Sequence, residues 1–348
     1  MPTYQPILKA KPAEFSAWEH ASTAVRSASS PLFELAPSDK LENYLKTFVK
    51  SAEKSLAAGE IITVDAAAVH QDRAWASGKP RIIEWLGSEL AAKSVTLRPV
   101  ARLTDSVTVL SDIAAVAKIH GAGVTLRLGT DTDDPDLTAF RAVLPSLLTA
   151  LGIDESKLRL LLDFRYVSTA KDISRALPVL NSWLAWISAH PNPFASIHAG
   201  AGAFPAVISG LPVATRNLVE RLDAAFFNAA TIPKVVDLGF ADYTVNHPVI
   251  GPVIPRAPLP SMRYLADDEW LVRRESKSAI GNQAFFTVCG AIVGDSSWKG
   301  AGYSWGDQEI ERSSLRIGGA GTATHWRAYG TSHHLASIVD RLATLGAP

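Results

Sequence analysis

A single cysteine, Cys289, excludes an internal disulfide and a cysteine-rich zinc site. It sits in the apolar run AFFTVCGAIV, which reads as a buried helix position and not as the setting of a reactive thiol. An excess of one charge is also absent. Lys plus Arg and Asp plus Glu number 34 each, so the net charge exerts no pull on nucleic acid and that partner is not favoured. No apolar run approaches the roughly 18 residues of a spanning helix, so no membrane association is expected. The opening MPTYQPILKAKPAEF has no basic segment followed by a long apolar one, and the expected location is the cytoplasm. The patterns G-x-x-x-x-G-K-[ST], full G-x-G-x-x-G and H-E-x-x-H are missing too. No metal-binding motif of these kinds is present, and the sequence names no cofactor.

What the chain does have is a rhythm. Short apolar runs recur, and most end in a charged residue. The first closes on Lys9, SPLFEL carries Glu34, and EIITVD ends on Asp65. SVTLRPV holds Arg98 with Arg102 just beyond, GVTLRLG holds Arg127, and KLRLLLDF ends near Asp163. FASIHAG runs into Gly200, Gly202 and Pro205, and VVDLGF leads to Asp242 and Tyr243. Helical patterns separate them, at about 12–26, 38–58, 80–92, 107–120, 133–151, 168–189 and 215–230. Continuous apolar runs suit strands covered on both faces. Eight such units predict an α/β fold, a single TIM-like (β/α)8 barrel over 1–243. The alternative is a doubly wound open sheet, which wants a glycine-rich turn after its first strand; KAKPAEF has no glycine there. Residues 244–348 form a C-terminal elaboration on the same domain: a hairpin at 261–275, a helix at 282–293, a loop at 296–331 and a last helix at 332–345.

Four further segments carry a family resemblance. They are Pro6 to Lys11 with Glu14 and Phe15, then Pro31 to Pro37, Ser304 to Asp307, and Trp326 to Leu335. With Gly202 to Pro205, Tyr243, His247-Pro248 and Arg263-Tyr264, the chain resembles the phage beta-protein family along nearly its whole length. The resemblance implies a family of phage and bacterial genomes. It carries over no activity and no catalytic residue.

The active site of a (β/α)8 barrel lies at the C-terminal ends of its strands. Lys9, Arg102 and Arg127 are the expected holders of a small anionic, phosphorylated ligand, with Asp242 nearby. Glu34, Asp65 and Asp163 are left for acid–base work or for a metal, and the bland alternative is a buried ion network that fixes the barrel. Gly200 and Gly202 are read as a phosphate-binding loop after the seventh strand, or simply as a tight loop. In the tail, Trp305, Asp307 and Arg327 are expected to close over the ligand. Thr331 or Ser332 is expected to cap the last helix, placing His333 in its first turn as a general base. Gly302 to Gly306 matches G-x-S-x-G but follows the completed eight-strand pattern, the wrong context for a nucleophile. The function expected is binding, or hydrolysis or lyase chemistry, on a small phosphorylated ligand. A non-catalytic phage–host interaction or defence protein, binding protein or nucleic acid, is the other reading. On the first reading, replacing Arg127 or Asp163 should remove ligand without unfolding the chain.

Overall fold

The computed structural model describes residues 3–69, 81–190, 194–249, 258–276 and 281–348. Eight parallel strands close a barrel: β1 (Tyr4–Lys9), β2 (Leu32–Glu34), β3 (Ile61–Asp65), β4 (Thr96–Ala101), β5 (Val124–Leu128), β6 (Leu158–Tyr166), β7 (Ser196–Gly202) and β9 (Leu238–Asp242). The first strand pairs with both β2 and β9, Ile7 opposite Leu32 and Tyr4 opposite Phe240. An open sheet is thereby excluded.

The helices around it are α1 (Pro12–Glu19), α2 (Thr23–Ala28), α3 (Leu41–Ser55), α4 (Ile82–Ala92), α5 (Val107–His120), α6 (Leu137–Leu151), α7 (Ala170–Ala189) and α8 (Leu222–Asn228). Local chemistry sets their ends. Thr169 and Asp172 form a capping box at the start of α7, and Gly121 and Gly152 take the left-handed conformation that stops α5 and α6. Leu41, Leu45, Phe48, Val49 and Ala52 are the buried face of α3, at helical spacing.

Two expectations about the barrel helices are corrected. The 12–26 helix is two helices, because Ser22 caps a second one. The 215–230 helix begins as a strand, β8 (Asn217–Glu220), before α8. Its residues pair with β11 (Glu269–Arg274), the second arm of a hairpin whose first arm is β10 (Ser261–Ala266). Tertiary pairing outweighs the helical look of RNLVERLDAAFF.

The tail differs most. After α9 (Ala284–Val293), which buries Cys289, the expected 296–331 loop contains α10 (Trp305–Ser314), capped by Ser304. The last helix, α11 (Ala323–Leu345), starts at Ala323 and not at 332. Gly330, in the stretch expected to be loop, sits inside it. A Cβ there would lie 2.4 Å from the Arg263 carbonyl, so glycine lets α11 press against β10. His333 and His334 are therefore mid-helix and buried, not in a first turn.

Within the tail, Ser332 Oγ accepts from the Gly306 N–H at 3.1 Å and Trp326 stacks on Phe285, tying α11 to α10 and α9. His334 Nε2, 2.7 Å from Asp242, ties the tail to the barrel.

Inside the barrel the side chains follow the period of two. Ile7, Leu32, Val100, Leu161, Ala241 and Tyr243 form one buried cluster. Two residues beyond the first five stand Lys9, Glu34, Arg102, Asp163 and Tyr243 itself. Asp65 and Arg127 occupy the same register on β3 and β5, two beyond buried Thr63 and Thr125. The alternation thus carries an apolar layer and then a charged one to the same end of the barrel.

Candidate functional site

The charged layer is a single connected network at the mouth. Arg127 is its hub, with a side chain wholly out of solvent. Its Nε donates to Asp163 Oδ2 at 2.8 Å, and its Nη1 to Asp65 Oδ2 at 2.6 Å and Glu34 Oε1 at 3.1 Å. Its Nη2 donates to the Tyr243 hydroxyl, which in turn donates to Asp163 Oδ2 at 2.6 Å. Lys9 donates to Glu34 and to the Pro248 carbonyl. Arg102 Nη2 donates to Asp65 Oδ2 at 2.6 Å.

Arg165 completes the ring from the loop side. Its Nη1 reaches Glu34 Oε1 at 3.1 Å and Tyr243 at 2.7 Å, and its Nε reaches Asp131 at 2.7 Å. Its backbone holds φ +53°, a left-handed conformation unusual for a non-glycine residue. The Arg165 N–H donates to Asp163 Oδ1 at 2.9 Å and fixes that turn.

Electrostatics follow from this pairing. Burial pushes the Asp65 carboxyl up, but Arg102 and Arg127 together outweigh it and hold it below the usual carboxylate range. Burial opposes ionisation of Glu34 and Asp163 as well. Arg127 with Lys9 and Arg165 for the first, and Arg127 with Arg165 for the second, bring both below their ordinary values. Burial lowers Lys9, with Glu34 pulling the other way. Burial raises Tyr243 far up, so its phenol keeps its proton and serves as a donor.

These carboxylates make the fold acid-labile. A carboxyl whose folded pKa is depressed contributes stability that is complete above its unfolded value, about 4, and is lost as pH falls through the folded one. Glu14, Asp105 and Asp223, which burial raises, work in the opposite sense, but Asp172, Asp242 and Asp295 are lowered alongside the three carboxyls at the mouth. The melting temperature should therefore hold between pH 7 and 5 and fall steeply below about pH 4. Scanning calorimetry in a pH series checks this, and equal stability at pH 3 and pH 7 would refute the pairing.

Above the hub lies a cavity of about 520 Å³, lined by Glu34, Asp65, Arg102, Asp131 and Arg165 with Thr130 and Thr132. Among the described residues Arg102 Nε, which is buried, has no hydrogen-bond partner, a donor left over at the cavity wall.

Of the residues expected at the site, Lys9, Glu34, Asp65, Arg102, Arg127 and Asp163 do converge. Gly200 and Gly202 do not form a loop. They belong to β7, opposite Asp163 and Tyr166, and their backbones pack against the neighbouring strand and its extension. A Cβ on Gly200 would lie 1.6 Å from the Ala241 carbonyl, and one on Gly202 would lie 2.5 Å from Pro248 Cγ. Their smallness serves closure of the barrel.

Asp242 faces the other way from Tyr243. It accepts from the Tyr4 hydroxyl at 2.7 Å and meets His334. Trp305 stacks on His20 with ring centres 4.1 Å apart. Asp307 accepts from Ser304 Oγ at 2.6 Å and Tyr264 at 3.0 Å. His333 lies between Asp307, 2.9 Å from Nδ1, and the Leu265 carbonyl, 2.9 Å from Nε2. With both nitrogens engaged and the ring buried, it is not placed to take a proton at the mouth. Ser304 is likewise a cap and not a nucleophile. Arg327 lies apart from this cavity, bonded to Asn246. Arg165, Tyr243, Asp131, Thr130 and Thr132 are the additions that the run-ending charges did not reveal. Tyr243 had a signal, since it stands two residues beyond Ala241 in the inward register. Among the described residues no three His, Cys, Asp or Glu side chains are grouped to hold a metal ion.

Fold and mouth together define a TIM-like parallel (β/α)8 barrel with a densely charged C-terminal face. The chain belongs to the beta protein family, whose model matches residues 4–340. A search of curated proteins finds no match. Among solved structures, the type I 3-dehydroquinate dehydratase of Clostridium difficile, bound to covalently modified comenic acid, is matched at 10% identity and a TM-score of 0.37. The match covers 71% of this chain and 87% of that one. No helix among the described residues is long and apolar enough to cross a membrane.

Proposed function

We propose that the mouth cavity binds a small anionic ligand carrying a phosphate group, with Arg102 and Arg165 as its cationic wall. The observation that carries this reading is Arg102. One of its nitrogens is spent on Asp65 while Nε, buried, has no partner among the described residues, in a cavity large enough for a metabolite. A buried donor without an acceptor is costly, and a ligand oxygen would meet it. Thr130 and Thr132 add hydroxyls on the same wall.

Catalysis is less well supported than binding. A general base works best with a pKa near the working pH, and Glu34 and Asp65 are held ionised and weakly basic by arginines. That favours a binding role for the mouth over hydrolysis or lyase chemistry. A thermal-shift screen of nucleotides and sugar phosphates tests the ligand, because a molecule specific for the folded state raises its melting temperature. Arg102→Gln should weaken the best hit by about 10- to 100-fold, the worth of one or two charge-assisted hydrogen bonds. A ligand bound equally by wild type and R102Q would sink the reading. A hit released intact after prolonged incubation would separate binding from turnover.

A further inference from the structure

A second concentration of positive charge lies outside the mouth cavity. Arg263 on β10 donates through Nη1 to the Val245 carbonyl, and Arg327 on α11 donates through Nη1 to the Asn246 side-chain carbonyl. Two consecutive residues after the last barrel strand thus receive the two guanidiniums. The backbones are close as well, since α11 touches the Arg263 carbonyl at Gly330. Arg263 also lies over the Phe204 ring, 4.3 Å from its centre. Among the described residues, neither guanidinium has a further hydrogen bond or a carboxylate in ion-pair contact. Each residue as a whole is half-buried.

The charge around them does not balance. Glu14 is the acidic group that acts on both. Its Oε1 is spent on Asn246 Nδ2 at 3.1 Å, and its Oε2 is buried without a partner. Residues 247–260, which continue from Asn246 to the hairpin, contain no Asp or Glu. Burial and mutual repulsion push the Arg263 guanidinium well down, and burial lowers Arg327. Two crowded, desolvated like charges with one carboxylate are costly unless an anion joins them. Guanidinium forks with free donors match the oxygens of a phosphate.

We propose that Arg263 and Arg327 form a second anion site, taking a phosphate or a phosphate monoester between the last barrel strand and the tail. The barrel supplies the acceptors that orient the arginines, and the tail supplies the charge. This site is separate from the mouth and does not depend on the reading of Arg102.

Calorimetric titration of the full chain with inorganic phosphate, in a buffer free of phosphate and sulfate, tests it. R263Q and R327Q should each weaken by at least about 10-fold a binding event that R102Q leaves intact. Glu14→Gln removes the opposing negative charge and should tighten the same event. Repeating the titration with glycerol 3-phosphate tells a free ion from an esterified group, and preferential binding of either at this site supports it. Folded R263Q and R327Q proteins that titrate like wild type would overturn the proposal, as would weaker binding in E14Q. If an arginine variant does not fold, E14Q and the conservative R263K decide, the lysine being expected to lose affinity because it lacks the fork.

Discussion

Arg127→Met should cost the protein its fold before it costs it any ligand. The Arg127 side chain is wholly buried and is shared by Asp163, Asp65, Glu34 and Tyr243. Its loss leaves three buried carboxylates facing one another with Lys9, Arg102 and Arg165 to divide among them. Removing one partner of a single buried ion pair costs about 3–5 kcal/mol. Domains have about 5–15 kcal/mol to lose, so the hub substitution takes most or all of it. Urea denaturation followed by circular dichroism measures this. A loss under about 1 kcal/mol would show that the network is not the closure it looks like. The result would also reverse the expectation from sequence that Arg127 or Asp163 could be replaced with loss of ligand alone. Arg102, at the rim of the same network, is the arginine whose loss should spare the fold and not the ligand.

Gly200→Ala is the second large effect. The added methyl would meet the Ala241 carbonyl at 1.6 Å, and backbone cannot swing aside as a side chain does. Relief requires parting β7 from β9, where Ile197, His198, Ala199 and Gly200 pair with Leu238 to Ala241. The expected cost exceeds about 4 kcal/mol, in the range reserved for disruption of a core or a buried network. Gly210→Ala is the control. Nothing lies within 4 Å of its added Cβ, and it should change stability by less than about 0.5 kcal/mol. Equal stability of the two variants, by the same denaturation assay, would mean that the ladder tolerates what the geometry forbids.

The barrel was legible because its strands are covered on both faces, so each appears as a short run of Ile, Leu and Val against helical surroundings. The mouth was legible for a related reason. A run that ends in Lys9, Glu34, Asp65 or Asp163 places a charge where the strand leaves the apolar layer, and such ends converge when the sheet closes. What the runs do not contain is distance. That Arg127 would consume Asp163, Asp65 and Glu34 together, leaving Arg102 with the spare donor, follows from side-chain reach across the barrel.

The misreadings share one cause, the overruling of a local signal by a contact distant in sequence. Gly330 falls in the expected 296–331 loop but lies inside α11, against the carbonyl of Arg263. Gly200 and Gly202 read as a ligand loop but answer Ala241 and Pro248. Asn217 to Glu220 reads as helix but answers β11. His333 reads as a reactive group near a helix start but is part of the joint between α10 and α11. The residues of the family's tail motif thus explain how the tail is held on. Thr130, Asp131 and Thr132 come from a loop, where no periodicity points to a site.

The bond between Tyr4 and Asp242 joins residues 238 apart, and His334 grips the same carboxylate from the tail. On a ribosome, then, the first strand emerges long before the partner that seals it. Until β9 and α11 follow, the growing chain has a sheet with a bare edge, and Tyr243, the donor that satisfies Asp163, has not yet been made. Long-range pairings of this kind are slow and leave strand edges open to other chains meanwhile. Nascent chains ending before residue 238 should therefore be the species that need a chaperone, and synthesis of the last two elements should set the moment of release.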